Sequence, residues 1–384
     1  MVGKNAASIF FLFCFTATGW LAQADSTPRE LHAGDRTPRW IAAAPAAVTW
    51  KQCRRQSESW HHSQEAVRIA DNVLLHQHDD GGWPKNTDMA AILTDREKDE
   101  LRKRKTNIQE STIDNGATYT PMIFLAKMFN AVHLERYKSS FSKGLDFLLD
   151  IQYENGGWPQ FPHRRGYFSH ITFNDNAMIG VMNLLRDILD RDEYAFVDPS
   201  QKNRAEKALQ KGVACILKCQ IQVDGERTVW CAQHDENNLQ PAPARTYEKI
   251  SLSGSESVGI VRFLMGIENP SPEVIDAVQS AVRWFQKVQL TGVKQVMKPD
   301  PSLPRGYDKI VVSDDAAPPL WARFYEIGAN RPIFCGRDGV VKYALAEIEH
   351  ERRVGYGWYT DAPSDLLNRD YPEWQKKIEA LRSR

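Results

Sequence analysis

Residues 77–84 read Gln-His-Asp-Asp-Gly-Gly-Trp-Pro, and residues 152–159 read Gln-Tyr-Glu-Asn-Gly-Gly-Trp-Pro. The two copies stand 75 residues apart, and each follows an apolar helical stretch. A looser third copy covers 220–225, with Trp230 after it. In the two close copies the glycines end the helix and turn the chain, and Trp-Pro starts an extended segment. The chain is therefore built from a repeated unit of helix and turn.

A repeat of this length, with two apolar helical stretches in each unit, predicts paired helices. Single pairs cannot bury their apolar faces alone, so they must stack on their neighbours. We expect a mainly α fold, an α/α toroid in the form of an incomplete barrel of paired helices, with a few short strands. The stretches 273–289, 318–328 and 343–353 are expected to continue the helical pattern. No alternating run is long enough to indicate a sheet core.

The first residues read as an export signal. A charged start, a dense apolar run and Ala22-Gln23-Ala24 predict a signal peptide over residues 1–24. Residues 25–49 are rich in proline, alanine and charge and predict a flexible leader, and residues 50–384 a single toroidal catalytic domain. We expect a secreted or periplasmic monomer. The formal net charge is zero, so no global field recruits nucleic acid or a membrane surface.

Three short polar segments each lead into an apolar helical stretch. We call them the first, second and third knots, and they cover 112–117, 171–178 and 244–248. Asp114 and Asn115 in the first knot and Asp175 in the second offer hard oxygen ligands, which suit Ca²⁺ rather than zinc. The alternative for each residue is that it caps the helix that follows. Because the knots recur beside the turns, we expect them to gather at one mouth of the scaffold.

Three arginines stand in distinctive surroundings. Arg245 follows a stiff Pro-Ala-Pro-Ala approach, Arg323 lies in Trp-Ala-Arg-Phe-Tyr, and Arg337 lies in Gly-Arg-Asp-Gly. Arginine binds carboxylates through two parallel hydrogen bonds, so several arginines beside a calcium ion fit a polyacidic sugar. Taken singly, each arginine could equally form a surface ion pair.

These segments together carry a resemblance. From about residue 55 to about residue 362 the chain resembles the pectate lyases of polysaccharide lyase family ten. The motifs that carry it are the two Gly-Gly-Trp-Pro turns, 113–118, 173–178, 244–248, 321–325 and 336–339. The resemblance implies an α/α toroid that cleaves polygalacturonate by β-elimination with Ca²⁺.

The resemblance also implies roles for individual residues. Asp175 is similar to a calcium ligand of the family, and Asn115 to a second one. Arg323 and Arg337 are similar to residues that bind the substrate carboxylates. Arg245 is similar to the catalytic base that removes the C5 proton.

Asp114 is similar to the catalytically required aspartate of its knot. A base role for Arg245 raises a difficulty, because arginine in water stays protonated. We expect calcium and neighbouring cations to favour its neutral form, and we expect an alkaline rate optimum.

Two other functions compete with a lyase. A glycoside hydrolase on the same scaffold would use two carboxylic acids, for which Asp114 and Glu248 are the candidates. A non-catalytic uronate-binding protein would use the arginines for binding alone. An ultraviolet-absorbing product and inhibition by a chelator would distinguish a lyase from both.

Overall fold

The computed structural model describes residues 48–382. The predicted signal peptide and nearly all of the predicted leader lie outside these residues, and the predicted domain bounds remain a prediction. The α-helices of the described part are α1 Trp50–Cys53, α2 Gln64–His76, α3 Asp95–Arg104, α4 Tyr119–Val132, α5 Glu135–Asp150, α6 Ala177–Asp190, α7 Pro199–Cys219, α8 Glu256–Met265, α9 Pro272–Lys287, α10 His350–Gly355, α11 Ala362–Asp365 and α12 Tyr371–Arg382.

The repeated turns fasten the helices to one another. In each repeat the buried tryptophan donates its indole N–H to a carbonyl of the helix before it, at 2.7–2.8 Å: Trp83 to Val73, Trp158 to Leu148, Trp230 to Ile216 and Trp321 to Phe285. In the first three, a glutamine amide donates to a carbonyl of the next long helix, at 2.9–3.0 Å: Gln77 to Ser140, Gln152 to Ala208 and Gln220 to Ala277. Each turn therefore joins two successive helical units. The fourth tryptophan was not recognised in the sequence as part of the repeat.

The first glycine of each close copy is required by its surroundings. Gly81 has φ 100° and Gly156 has φ 94°, where other residues are strained. A Cβ at Gly81 would stand 2.4 Å from the carbonyl oxygen of Lys143, and one at Gly156 would stand 2.1 Å from that of Lys211. The turn therefore packs directly on the backbone of the neighbouring helix.

The helices form two layers. Helices α2, α4, α6 and α8 contact one another in sequence order, and α5, α7 and α9 form a second row behind them. The pairs α4–α5, α6–α7 and α8–α9 join the rows. Within residues 48–382 the rows do not close into a ring. This arrangement confirms the predicted incomplete barrel of paired helices with few short strands.

Strands are short and connect the helical units. Among the described residues they pair antiparallel in twos, and only β6 with β7 extends over seven residues. The strands are β1 Ile171–Thr172, β2 Gln222–Val223, β3 Glu226–Arg227, β4 Gln233–His234, β5 Leu252–Ser253, β6 Val293–Pro299, β7 Tyr307–Ser313, β8 Trp321–Ala322, β9 Phe324–Tyr325, β10 Phe334–Cys335, β11 Val341–Lys342 and β12 Tyr359–Thr360.

Of two helical expectations near the end of the chain, that for 318–328 is wrong and that for 343–353 holds only in part. Residues 318–328 contain β8 and β9 instead, because two consecutive prolines precede a run rich in aromatic residues that favours extended backbone. Within 343–353, one 3₁₀ turn, Leu345–Glu347, precedes α10. None of the helices within residues 48–382 has the length and apolar character needed to span a bilayer.

Candidate active site

The first and second knots share one backbone conformation. Each forms a 3₁₀ turn, Asp114–Gly116 and Asn174–Asn176, directly before α4 and α6. The middle residue is left-handed in both turns, with φ 51° at Asn115 and at Asp175. The two turns lie next to each other in the structure.

The third knot does not repeat this geometry. The segment that precedes α8 is 252–255, directly followed by Glu256, whereas 244–248 lies on an irregular stretch upstream. The expectation that the third knot leads into a helix is therefore wrong. Its residues reach the site through side-chain contacts rather than through the repeated turn.

The second knot holds a buried arginine. Arg323 Nη2 donates to Asn174 Oδ1 at 3.0 Å and to Asp175 Oδ1 at 3.3 Å, and it forms an ion pair with Glu256. Burial would lower the pKa of Arg323, but the charge of Glu256, with smaller contributions from Tyr356 and Asp175, raises the pKa above its ordinary value. Arg323 is therefore a fixed cation beside Asp175.

Glu256 was missed in the sequence, although a signal for it existed. It stands at the start of an apolar helix after Ser-Gly-Ser, as Asp114 and Asp175 stand before α4 and α6. The third knot was predicted at 244–248 instead.

The first knot holds a buried carboxylate. Asp114 Oδ2 accepts a hydrogen bond from Lys85 Nζ at 2.7 Å, and the side chain of Asp114 is only 3% exposed. Among the described residues, Asp114 Oδ1 has no hydrogen-bond partner. Asn115 donates from its amide nitrogen to Asn86 at 2.9 Å, which keeps its amide oxygen available to a cation. Lys85, directly after the first Gly-Gly-Trp-Pro turn, is a second residue that sequence reasoning missed.

Arg245 is held by an acid rather than by cations. Its Nε and Nη2 donate to the two carboxylate oxygens of Glu248 at 2.8 and 2.7 Å. Burial would lower the pKa of Arg245, but the hydrogen bonds and charge of Glu248 outweigh it and raise the pKa. In this state the closest partner of Arg245 is therefore a carboxylate, and the expectation that calcium and neighbouring cations favour its neutral form stays a prediction.

One tyrosine joins Arg245 to the second knot. The guanidinium of Arg323 lies 4.7 Å from the ring centre of Tyr356, and that of Arg245 lies 5.7 Å from it. The Tyr356 hydroxyl donates to Glu248 at 2.6 Å. The two arginines therefore lie on one aromatic ring, and Asp175 and Arg245 belong to one continuous cluster. Nothing in the sequence had marked Tyr356 as a site residue.

Arg337 lies at the edge of this cluster. Its guanidinium pairs with Glu351, at 3.0 and 3.2 Å, and its side chain is 46% exposed. The loop that carries it packs on the third knot, where Cys335 Sγ lies 3.7 Å from the carbonyl oxygen of Thr246. Arg337 is thus placed beside the third knot but is bound to an acid of its own.

Comparison with known proteins identifies the family. A family model described as pectic acid lyase matches residues 77–367. The chain belongs to the pectic acid lyase family. It is similar to a solved family 10 polysaccharide lyase from Cellvibrio cellulosa, with 34% identity, a TM-score of 0.68, and coverage of 81% of this chain and 93% of that one. A mutant of that lyase in complex with trigalacturonic acid matches with the same identity and TM-score, over 81% of this chain and 94% of that one. No curated protein matches.

Membership of the pectic acid lyase family decides between the competing functions. The protein is an enzyme, a lyase acting on pectate, and neither a glycoside hydrolase nor a non-catalytic binder. A hydrolase needs one protonated carboxylic acid. Burial would raise the pKa of Glu248, but its bonds with Arg245 and Tyr356 lower it, which makes Glu248 a poor candidate for that acid.

The donor atoms of the two knots fit the cation expected of a pectic acid lyase. Asp175 and Asp114 offer carboxylate oxygens and Asn115 offers an amide oxygen, with no nitrogen or sulfur ligand among these three. Hard oxygen donors of this kind are what Ca²⁺ takes. The partnerless Asp114 Oδ1 is a buried acceptor that a cation or its bound water would satisfy.

Proposed function

We propose that this lyase cleaves polygalacturonate by Ca²⁺-dependent β-elimination, with Arg245 as the base that removes the C5 proton. Asp175 and Asn115 would hold the cation, and Asp114 would be the catalytically required aspartate beside them. The observation that carries the proposal is the shared contact of Arg245 and Arg323 with the ring of Tyr356, next to Asp175. The complex of the similar lyase with trigalacturonic acid supports the choice of substrate.

The reaction requires the C5–H bond of a galacturonate to become more acidic. The C5 proton of a galacturonate lies α to a carboxylate, and a carboxylate stabilises a neighbouring carbanion poorly. Asp175 and Asn115 would hold the Ca²⁺, which would supply positive charge beside that carboxylate. Arg323 would add a preorganised cation where the charge develops. Arg245 would take the C5 proton, the electrons of the C5–H bond would form the C4=C5 double bond, and the C4–O bond would break, with the departing sugar oxygen protonated from water.

Binding of a substrate carboxylate to Arg337 would replace an existing ion pair of this arginine. Arg337 is half-exposed and already bound to Glu351, so a substrate carboxylate must compete with that acid. We propose that Arg337 binds a sugar carboxylate at the edge of the cluster, where exposed ion pairs are weak and exchange readily.

The base role of Arg245 predicts a marked pH dependence. Because Glu248 raises the pKa of Arg245, the neutral form is rare near pH 7. The neutral fraction grows as the pH rises toward that pKa, so the rate should rise on the alkaline side. Glu248→Gln removes the charge that raises the pKa, and the rising limb of the pH–rate profile should move to lower pH. If the rising limb of the pH–rate profile does not move in Glu248→Gln, the charge of Glu248 does not affect the ionisation that controls the rate.

The deciding experiment follows the ultraviolet absorbance of the unsaturated product on polygalacturonate. Absorbance should rise with Ca²⁺ and stop with a chelator. Arg245→Ala should lower kcat by about 10³-fold while KM changes little, because only the transition state loses an interaction. The control is Arg204→Ala, which removes a surface arginine paired with Asp146 and Asp150 and should leave kcat unchanged. A saturated product would contradict elimination, and an Arg245→Ala kcat within tenfold of wild type would contradict the base.

The site of action is also a proposal. We propose that the protein is exported to the periplasm or the medium, where its polymeric substrate is found. The support is the charged and apolar start of residues 1–24 with its small-residue cleavage site. Cell fractionation, with mass spectrometry of the mature N-terminus, would test it.

A further inference from the structure

A histidine and two acids meet at one end of a short strand pair. His170 stands directly before β1, and Asp235 and Glu236 follow directly after β4. Because β1 and β4 pair antiparallel, with Ile171 opposite His234, the residues at these two ends are brought side by side. One ligand atom from each of the three side chains lies within 4.8 Å of the others. Metal–ligand distances of ~2.0–2.2 Å are within reach of small side-chain rotations.

Two atoms of this cluster lack the partners that buried polar atoms normally have. His170 Nδ1 and Glu236 Oε2 are buried and make no hydrogen bond within residues 48–382. His170 Nε2 lies 4.0 Å from Glu236 Oε2, too far for a hydrogen bond. Buried polar atoms without partners are rare and call for a ligand, ion or water that satisfies them.

The other carboxylate oxygens hold the two acids in place. Glu236 Oε1 accepts a hydrogen bond from Ser169 at 2.7 Å. Asp235 Oδ1 accepts the backbone N–H groups of Asn237 and Asn238, at 2.9 and 3.0 Å. Asp235 is thus anchored through Oδ1, and Glu236 is anchored through Oε1 while its Oε2 makes no hydrogen bond among the described residues. Outer contacts of this kind orient the ligands of metal sites.

We propose that His170, Asp235 and Glu236 form a second metal site, specific for a transition-metal dication of the zinc class and distinct from the knots. The imidazole decides the class, because Ca²⁺ takes oxygen ligands whereas zinc accepts histidine nitrogen together with carboxylates. A metal ion here joins the start of β1 to the loop after β4. Since β1 opens the second knot, the ion fixes the backbone that positions Asp175.

The simpler reading is an ion pair between a protonated His170 and Glu236. That pair leaves His170 Nδ1 without a partner, and it predicts no response to zinc. The two readings therefore differ in a measurement that does not depend on activity.

The test uses the mature protein after chelator treatment and dialysis, with ZnCl₂ as the probe. At saturating zinc we expect one ion per chain by mass spectrometry of bound metal, and a rise in Tm of about 5 °C, since a ligand that binds only the folded state stabilises it. Glu236→Gln keeps the size of the side chain but removes its charge, and it should weaken zinc binding at least tenfold. His170→Ala should abolish the shift.

His62→Ala is the matched control, because it removes an exposed histidine elsewhere and should leave the shift intact. If His170→Ala folds poorly, Glu236→Gln alone carries the test. The proposal is overturned if wild-type protein shows no zinc-dependent shift. It is equally overturned if the shift survives in Glu236→Gln, or if CaCl₂ produces the same shift with the same sensitivity to these variants.

Discussion

The first and second knots use the same backbone to hold different charges. Both turns place a left-handed residue in front of an apolar helix, at φ 51°. In the first knot the carboxylate is the buried Asp114, and the left-handed residue is the neutral Asn115. In the second knot the order is reversed, with a buried Asn174 and an exposed Asp175 at the left-handed position.

The difference shows how a repeat becomes an asymmetric site. The shared turn fixes where the side chains point, and each carboxylate then receives a cation from a different part of the chain. Asp114 is paired with Lys85, directly after the first repeated turn, whereas Asp175 is paired with Arg323 from the region between α9 and α10. Substitutions that change the side chains of one knot toward those of the other therefore separate the effect of a carboxylate's position on activity from the effect of its charge.

Removal of the exposed carboxylate should have the largest effect. Asp175→Ala takes away the proposed cation ligand that carries a full charge, and kcat/KM at fixed Ca²⁺ should fall by about 10³-fold. Part of the loss should be recovered at high Ca²⁺, because remaining oxygen donors still bind weakly. Initial rates on polygalacturonate over a calcium titration measure both effects.

The control for this change is Asp224→Ala. Asp224 is also an exposed aspartate with a left-handed backbone, at φ 52°, but it lies in the turn between β2 and β3. Alanine in this conformation costs roughly 1 kcal/mol of folding free energy at either position. A loss of activity in both variants would assign the effect to strain in the turn and not to the lost carboxylate.

The buried carboxylate should have a smaller effect on the rate and a larger one on stability. Asp114→Asn keeps the shape but leaves Lys85 without its anionic partner. We expect kcat to fall by about 10²-fold. The free energy of unfolding should fall by about 2 kcal/mol, below the full cost of a broken buried pair because Lys85 is 19% exposed. Denaturant unfolding and initial rates measure the two quantities.

Asp308→Asn is the matched control, because it breaks another partly buried ion pair, with Arg353, in β7 and outside the knots. It should lower stability without lowering kcat. A normal rate in Asp114→Asn would exclude a catalytic role for this carboxylate.

The sequence predicted the helical repeat because the repeat depends on residues with few substitutes. Gly81 and Gly156 are left-handed glycines packed against a carbonyl group. In the same turns a tryptophan indole reaches the preceding helix. These requirements leave a recognisable sequence pattern. The region from 288 to 360 leaves no such pattern, since most of its strands span two residues and no periodicity can develop over that length. The helical prediction for 318–328, which is wrong, and that for 343–353, which holds only in part, both fall there.

The same contrast applies to the site. Asp114, Asn115 and Asp175 stand in repeated turns and were found, although their roles came from the family resemblance. Tyr356 was missed because its role depends on two arginines that lie far from it in sequence and meet only on its ring. The acid partner of Arg245 was only three residues away, but sequence gave no sign that it would bind the arginine rather than the substrate.

The smallest expected effect comes from giving the first knot the charge of the second. Asn115→Asp adds a carboxylate at the left-handed position, next to the turn that carries Asp175. Extra ligand charge tightens calcium sites, so the Ca²⁺ concentration for half-maximal rate should fall about threefold to tenfold. Asn330→Asp, another left-handed asparagine at φ 54° that binds Trp284, should leave that concentration unchanged. If Asn115→Asp also leaves the Ca²⁺ concentration for half-maximal rate unchanged, the left-handed residue of the first knot does not face the cation. The two turns would then share their backbone conformation but not the role of their left-handed residue.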